Sequence, residues 1–162
     1  MNILLKSAKI VCPENKDLHL KKRDILIKKG VIDKIGASVE ATSGVKVLEK
    51  ENLHVSLGWF DSSVAFGEPG FEERETITNG LFTAGKSGFT DIVLNPNTHP
   101  VPDTSSDVVF FKERGQGKAT KIHPLGTLTK NAEGIDLAEL FDMRNAGAVA
   151  FFDFKKQIAN PN

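Results

Sequence analysis

The sequence predicts an α/β fold: a small β-rich segment first, then a parallel sheet built from about four strand–helix units. Three observations predict it. Short β-type runs separated by turn residues fill the first 56 positions. The hydrophobic period changes after Gly58, where runs of alternation begin to interleave with helical spacing. From there to residue 154 the pattern is strand, helix, strand, helix, the cadence of βαβ units. The change of period predicts two domains, 1–56 and 57–162.

In the first segment, "NILLKSAKIV" reads as a strand of mixed alternation, closed by a turn at Pro13, Glu14 and Asn15. "DILIKKGVIDKIG" reads as a hairpin, with strands at 24–28 and 31–35 joined across Lys29 and Gly30. Two further strands are expected at 46–49 and 53–55. Several short strands with turns between them suggest a small sheet or half a sandwich.

In the second segment, 59–66 is expected as a strand and 73–87 as a helix, with Ile77, Leu81, Phe82 and Ala84 near helical spacing. Glu72, Glu73 and Glu75 suit a helix N-terminus, and Gly88 suits its end. "FTDIVLN" is a second strand, followed by a helix over 103–115 capped by Asp103 or Thr104. "TKIHPLGTLT", 120–129, is a third strand broken by Pro124. A third helix over 135–145 and a fourth strand over 148–154 complete the series. Pro161 and Asn162 are expected in the loop that follows.

Composition limits the function classes. The chain has 162 residues, 40% apolar and 26% charged, as a globular protein does. Lys plus Arg number 21 and Asp plus Glu 21, so no net field draws the chain to nucleic acid or to an anionic membrane. A net charge of zero favours self-association near neutral pH. Cys12 is the one cysteine, so neither an intrachain disulfide nor a thiolate metal cluster forms, which fits a reducing compartment. No apolar run is long enough to span a bilayer, and the lysine-interrupted N-terminus does not resemble a signal peptide. The expectation is a cytoplasmic protein.

The chemistry concentrates in "GWFDSSVAFGEPGFEERET", residues 58–76: a strand, a Gly/Pro turn, then a helix. Many barrel enzymes place their catalytic groups at such a junction. Together with "GFTDIVLNPNTHPVPDT", "KIHPLGTLTK" and "AGAVAFFDF", taken in this order, it resembles the first part of a bacterial dihydroorotase, a cyclic amidohydrolase of the amidohydrolase superfamily. The resemblance covers essentially the whole chain and includes the N-terminal hairpin. It implies a partial TIM (β/α)8 barrel preceded by a small β-sandwich segment. It also implies an activity that opens or closes the cyclic amide of dihydroorotate with one or two zinc ions and a metal-bound hydroxide. A full family member is well over twice this length, so the chain is expected to be a fragment, with the family's remaining His ligands and catalytic aspartate beyond Asn162.

This chain departs from the family pattern at the junction itself. The family's first strand ends in Asp-x-His-x-His followed by Leu-Arg-Glu-Pro-Gly. The histidines bind metal and the arginine holds the substrate carboxylate. Here Asp61 and Glu68-Pro69-Gly70 keep register, while Ser63 and Ala65 stand at the histidine positions and Gly67 at the arginine position. A hydroxyl is a poor zinc ligand, a methyl is none, and glycine offers a carboxylate no charge. Asn97 matches the asparagine that the family uses on the substrate carboxylate. Asp153 matches its metal-bridging aspartate, but Phe154 and Lys155 replace the acid and glycine that usually follow.

Each of these residues also has a plainer role. Asp61 is expected to hydrogen-bond beneath the turn, Glu68-Pro69-Gly70 to lead into the helix, Asn97 to bond its own loop, and Asp153 to be a solvated or paired carboxylate. His19 and His54 read as surface or edge residues, His99 as a loop residue near the mouth, and His123 as strand packing. No pair of histidines has ligand spacing. The expectation is therefore a chain without catalysis and without zinc, although a genuine dihydroorotase in full-length form and a small-molecule binding module stay open. The expected partners are a second copy of the chain or aspartate transcarbamoylase, which within this superfamily binds dihydroorotase-like proteins that lack the metal histidines.

Overall fold

The computed structural model describes residues 2–159. Pro161 and Asn162, expected in a loop, lie outside the described residues. The chain divides into two compact units between Leu57 and Gly58.

The first unit is one mixed sheet built around β1 (Asn2–Val11). This strand pairs antiparallel with β2 (Lys22–Lys28) and parallel with β4 (Val45–Glu49) and β5 (His54–Ser56). The strand β3 (Val31–Gly36) returns on β2 as the expected hairpin. Lys29 and Gly30 both have positive φ, 51° and 80°, the combination that a two-residue turn needs to match the strand twist.

A bulge between Leu5 and Ala8, with Ser7 at φ 53°, shifts the register of β1. Leu4 thus packs with Leu26 and Val39, whereas Ala8 and Ile10 pack with Ile25 in a separate cluster. The bulge is held by a buried carboxylate. Asp24 is 2% exposed and accepts from Lys6 Nζ at 2.5 Å, Ser7 N at 2.9 Å and Val39 N at 2.9 Å. Burial alone would raise the pKa of Asp24. The hydrogen bonds from Lys6, Ser7 and Val39, with the Lys6 charge, outweigh it and hold the group below its ordinary 3.8.

The second unit is a parallel three-stranded sheet in the order β6 (Trp59–Val64), β7 (Phe89–Leu94), β8 (Lys121–Pro124). Helices α1 (Ile77–Lys86) and α2 (Ser105–Arg114) cover one face. Ile92, Leu94 and Ile122 of the sheet pack there against Ile77, Leu81 and Phe111 of the helices, with Phe66 from the loop after β6. Gly80 lets α1 close on Phe66, since a Cβ there would lie 2.3 Å from the ring. A second cluster joins Val108 of α2 to Met143 of α3 (Leu140–Ala146), with Ala138 and Ala148. Alternation places Asp91, Val93 and His123 on the opposite face, where Nε2 of His123 meets Oδ1 of Asp91 at 2.8 Å. No helix among the described residues is long and apolar enough to cross a membrane.

Several expected boundaries move, each for a local reason. The strand β6 ends at Val64 rather than Phe66, because the Asp61 carboxylate takes the N–H of Ser63 and Phe66 turns into the core. The helix α1 starts at Ile77 rather than residue 73, because Thr76 caps it through Asn79 N and Glu68 accepts from Ile77 N at 2.8 Å. Glu72 and Glu73 lie in the preceding turn, where the Gly70 N–H holds the Glu72 carboxyl below its ordinary 4.5. The third helix begins at Leu140 rather than 135. Residues 130–132 form a short 3-10 turn, and Thr129 and Leu137 bridge antiparallel. The fourth strand shortens to residues 149–152: Val149 N donates to Pro124 O, Gly126 N to Ala150 O and Phe152 N to Gly126 O, around one parallel bridge between Phe151 and Gly126, and the chain turns away at Asp153. His123, expected in strand packing, lies in β8 and bonds Asp91 of β7 through its ring.

The lowered pKa of Asp24 fixes the sign of a pH effect. Its contribution is complete above the ordinary 3.8 and is lost as pH falls through the lower folded value. Asp24→Asn is expected to cost about 2–3 kcal/mol near neutrality. In urea unfolding repeated at successively lower pH below 3.8, the gap between variant and parent should shrink. A gap that stays constant would contradict this assignment.

Candidate functional site

The loops that leave the C-terminal ends of β6, β7 and β8 form the candidate site, the end of a parallel sheet where ligands gather. Ser63 Oγ accepts from Asn95 Nδ2 at 3.1 Å, and Asn95 is 3% exposed. Ala65 is exposed just beyond the strand and offers only its methyl group. Asp61 is half-buried and uses Oδ1 on Ser63 N at 3.0 Å, a bond within β6 rather than beneath the Gly/Pro turn.

Gly67 closes the next turn. Its N–H donates to Glu75 O at 2.9 Å, and its carbonyl accepts from Phe71 N at 2.8 Å. A Cβ at this position would lie 1.9 Å from the Phe71 carbonyl oxygen. The position is thus filled by backbone and has no space for a side chain of any kind. Glu68 reaches away from the mouth. One oxygen caps Ile77 N and the other meets Arg114 at 3.1 Å.

On the β7 loop, Asn97 Nδ2 donates to the Phe66 carbonyl, so its donor arm faces protein backbone. Its Oδ1 is buried and has no hydrogen-bond partner among the described residues. His99 donates its backbone N–H to Pro69 O at 2.9 Å, and its ring lies 6.4 Å from that of Phe71. Thr98 Oγ1 donates to Pro100 O at 2.8 Å.

Asp153 is 5% exposed, not solvated. Oδ1 accepts from Leu128 N at 2.9 Å and Thr129 N at 3.1 Å, and Oδ2 accepts from the Thr129 hydroxyl. Among the described residues, no hydrogen bond links the expected site residues to one another: Ser63 bonds Asn95, Asn97 bonds the backbone at Phe66, and Asp153 bonds the loop at 128–129. Among the described residues no three His, Cys, Asp or Glu side chains are grouped to hold a metal ion. Sequence reasoning missed Asn95, Thr129 and the anchoring role of Glu68, since each partner lies far along the chain. On the inner face, the hydrogen bond from His123, and then that from Thr90, keeps the Asp91 carboxyl below its ordinary 3.8.

The family model described as dihydro-orotase-like matches residues 53–160. The chain belongs to this family. It is 38% identical over 160 residues to a dihydroorotase of Pelotomaculum thermopropionicum, covering 99% of this chain and 37% of that protein. It is 33% identical to a dihydroorotase of Carboxydothermus hydrogenoformans, covering 99% and 36%. The chain thus spans a little over a third of the length of these relatives. Among solved structures, an L-hydantoinase (dihydropyrimidinase) from Arthrobacter aurescens superposes with a TM-score of 0.73 at 22% identity, over 92% of this chain and 32% of the other. A dihydroorotase crystal structure superposes with a TM-score of 0.61 at 16% identity, over 93% of this chain and 41% of the other. These likenesses establish the fold: a partial (β/α) barrel of the amidohydrolase type, preceded by its small β segment.

The zinc that this family implies can be tested against the residues present. Ser63 offers one hydroxyl already accepting from Asn95, Ala65 offers nothing, and three donors surround the Asp153 carboxylate. Zinc selects imidazole, thiolate and free carboxylate donors. This donor set does not fit the ion, and no step is derived through it.

The closed turn makes a prediction of its own. Gly67→Ala and Gly67→Arg should each destabilise the chain by about 2–3 kcal/mol, because even a methyl group displaces the Phe71 carbonyl. Chemical denaturation measures this, and a Gly67→Ala variant as stable as the parent would show that the turn yields freely.

Proposed function

We propose that this chain is a non-catalytic, dihydroorotase-like scaffold of pyrimidine biosynthesis. One observation carries the proposal: positions 63, 65 and 67 present a hydroxyl, a methyl and a bare backbone, and the amide donors of Asn95 and Asn97 beside them are bonded to Ser63 and to the Phe66 carbonyl. A metal-dependent ring hydrolysis needs an ion to activate water and a cation to hold the substrate carboxylate. Neither requirement is met by the side chains at this mouth. The same geometry argues against a small-molecule anion module, because the donor arm of Asn97 faces the Phe66 carbonyl.

A scaffold acts through its surface. Ile135 and Leu137 stand on the segment leading into α3 and Phe141 on its first turn, and Phe141 is 72% exposed. Exposed apolar groups of this size favour contact with another protein. The proposed partner is aspartate transcarbamoylase, with self-association as the alternative that a net charge of zero permits. Sedimentation of the chain with and without aspartate transcarbamoylase separates the two, and a monomer unaffected by the enzyme would remove the scaffold role.

The decisive experiment combines metal analysis of the purified protein with assays of ring opening of dihydroorotate and ring closure of carbamoyl aspartate. Zinc far below one equivalent and no turnover in either direction are expected. Stoichiometric zinc with turnover would instead make the protein a genuine dihydroorotase.

A further inference from the structure

We infer that Asp153 has become a clasp of the fold, and that histidines restored at positions 63 and 65 would not recruit it to a metal. This inference rests on the non-catalytic reading above and concerns a residue that keeps the family's chemical type.

The carboxylate sits at the centre of a small network. Leu128 N and Thr129 N donate to Oδ1, and the Thr129 hydroxyl donates to Oδ2. Thr129 Oγ1 in turn accepts from Gly134 N at 2.8 Å, so the network holds both ends of the 128–134 loop. On the other side, the Asp153 carbonyl accepts from Lys156 N at 3.0 Å, and Ala159 N donates to Gly134 O at 2.8 Å. The loop and the segment after Asp153 are thereby fastened to each other.

An ionised carboxylate offers about four lone-pair sites, and three are filled. Drawing it onto a metal would leave the N–H groups of Leu128 and Thr129 in a buried place without an acceptor. The lost metal site is on this view guarded twice: by missing ligands at 63 and 65, and by a surviving ligand held elsewhere.

A double-mutant cycle on the full chain tests this, with zinc alone as the probe. The variants are Ser63→His/Ala65→His with and without Asp153→Asn, and Asp153→Asn alone. If Asp153 is a clasp, Asp153→Asn changes the zinc Kd of the histidine pair by less than about twofold, or the pair binds no measurable zinc at all. In the parent background the same substitution lowers Tm by about 3–8 °C. Thr129→Val, which removes only the hydroxyl donor, should lower Tm by a smaller amount and gives a second reading should Asp153→Asn fail to fold. A zinc affinity weakened tenfold or more by Asp153→Asn would overturn the inference, as would an unchanged Tm in both Asp153→Asn and Thr129→Val. Turnover by the parent chain would sink the non-catalytic reading instead, and is measured separately.

Discussion

Polar backbone that leaves the end of a parallel strand must find hydrogen-bond partners, and the second unit is organised around that constraint. In a metal-dependent barrel, the ion and its ligands would order much of the strand-end region. Here side chains perform that task on the loops directly. Asp61 takes the N–H of Ser63, Asn97 donates to the carbonyl of Phe66, Glu68 caps Ile77, and Asp153 gathers two amides and a hydroxyl. Asp61 acts within β6, Glu68 ties its turn to α1, and Asn97 and Asp153 tie one loop to another segment. The outcome is a mouth whose loops are tied by their own side chains.

Packing beneath the mouth explains why the architecture persists. Ile92, Leu94 and Ile122 form an apolar stripe on one face of the sheet, and Ile77, Leu81 and Phe111 cover it. Each such side chain contributes about 1.5–3 kcal/mol when buried. These positions are set by the alternation of strands and the 3.6-residue period of helices, and they are independent of the catalytic groups at the loop tips. A chain can therefore change its loop chemistry while its sheet and helices stay as they are.

The distinction between core and loops also describes what was legible in the sequence. The hairpin at Lys29-Gly30, the parallel strands at 59, 89 and 121, and the two long helices follow from period and turn chemistry, which are local. The start of α1 was not legible, because its cap at Thr76 is reinforced by Glu68 from nine residues upstream. The early end of the fourth strand was not legible either: "AVAFFDF" has strand composition throughout, yet the chain turns where Asp153 meets residues 24 and 25 positions earlier. At the candidate site, the missing imidazoles and guanidinium were visible as letters. The closure of Gly67 by a carbonyl was not, because a glycine in sequence does not reveal what stands beside it.

The Asp91–His123 pair on the opposite face of the sheet has a consequence for whatever lies across from it. A carboxylate and an imidazole in contact, each about one-third exposed, prevent that surface from acting as a uniformly oily wall. Chain or solvent meeting these strands from the inside has to supply dipoles or water at this height. The two faces of the sheet thus differ in polarity, dry against the helices and wettable on the face that carries Asp91 and His123.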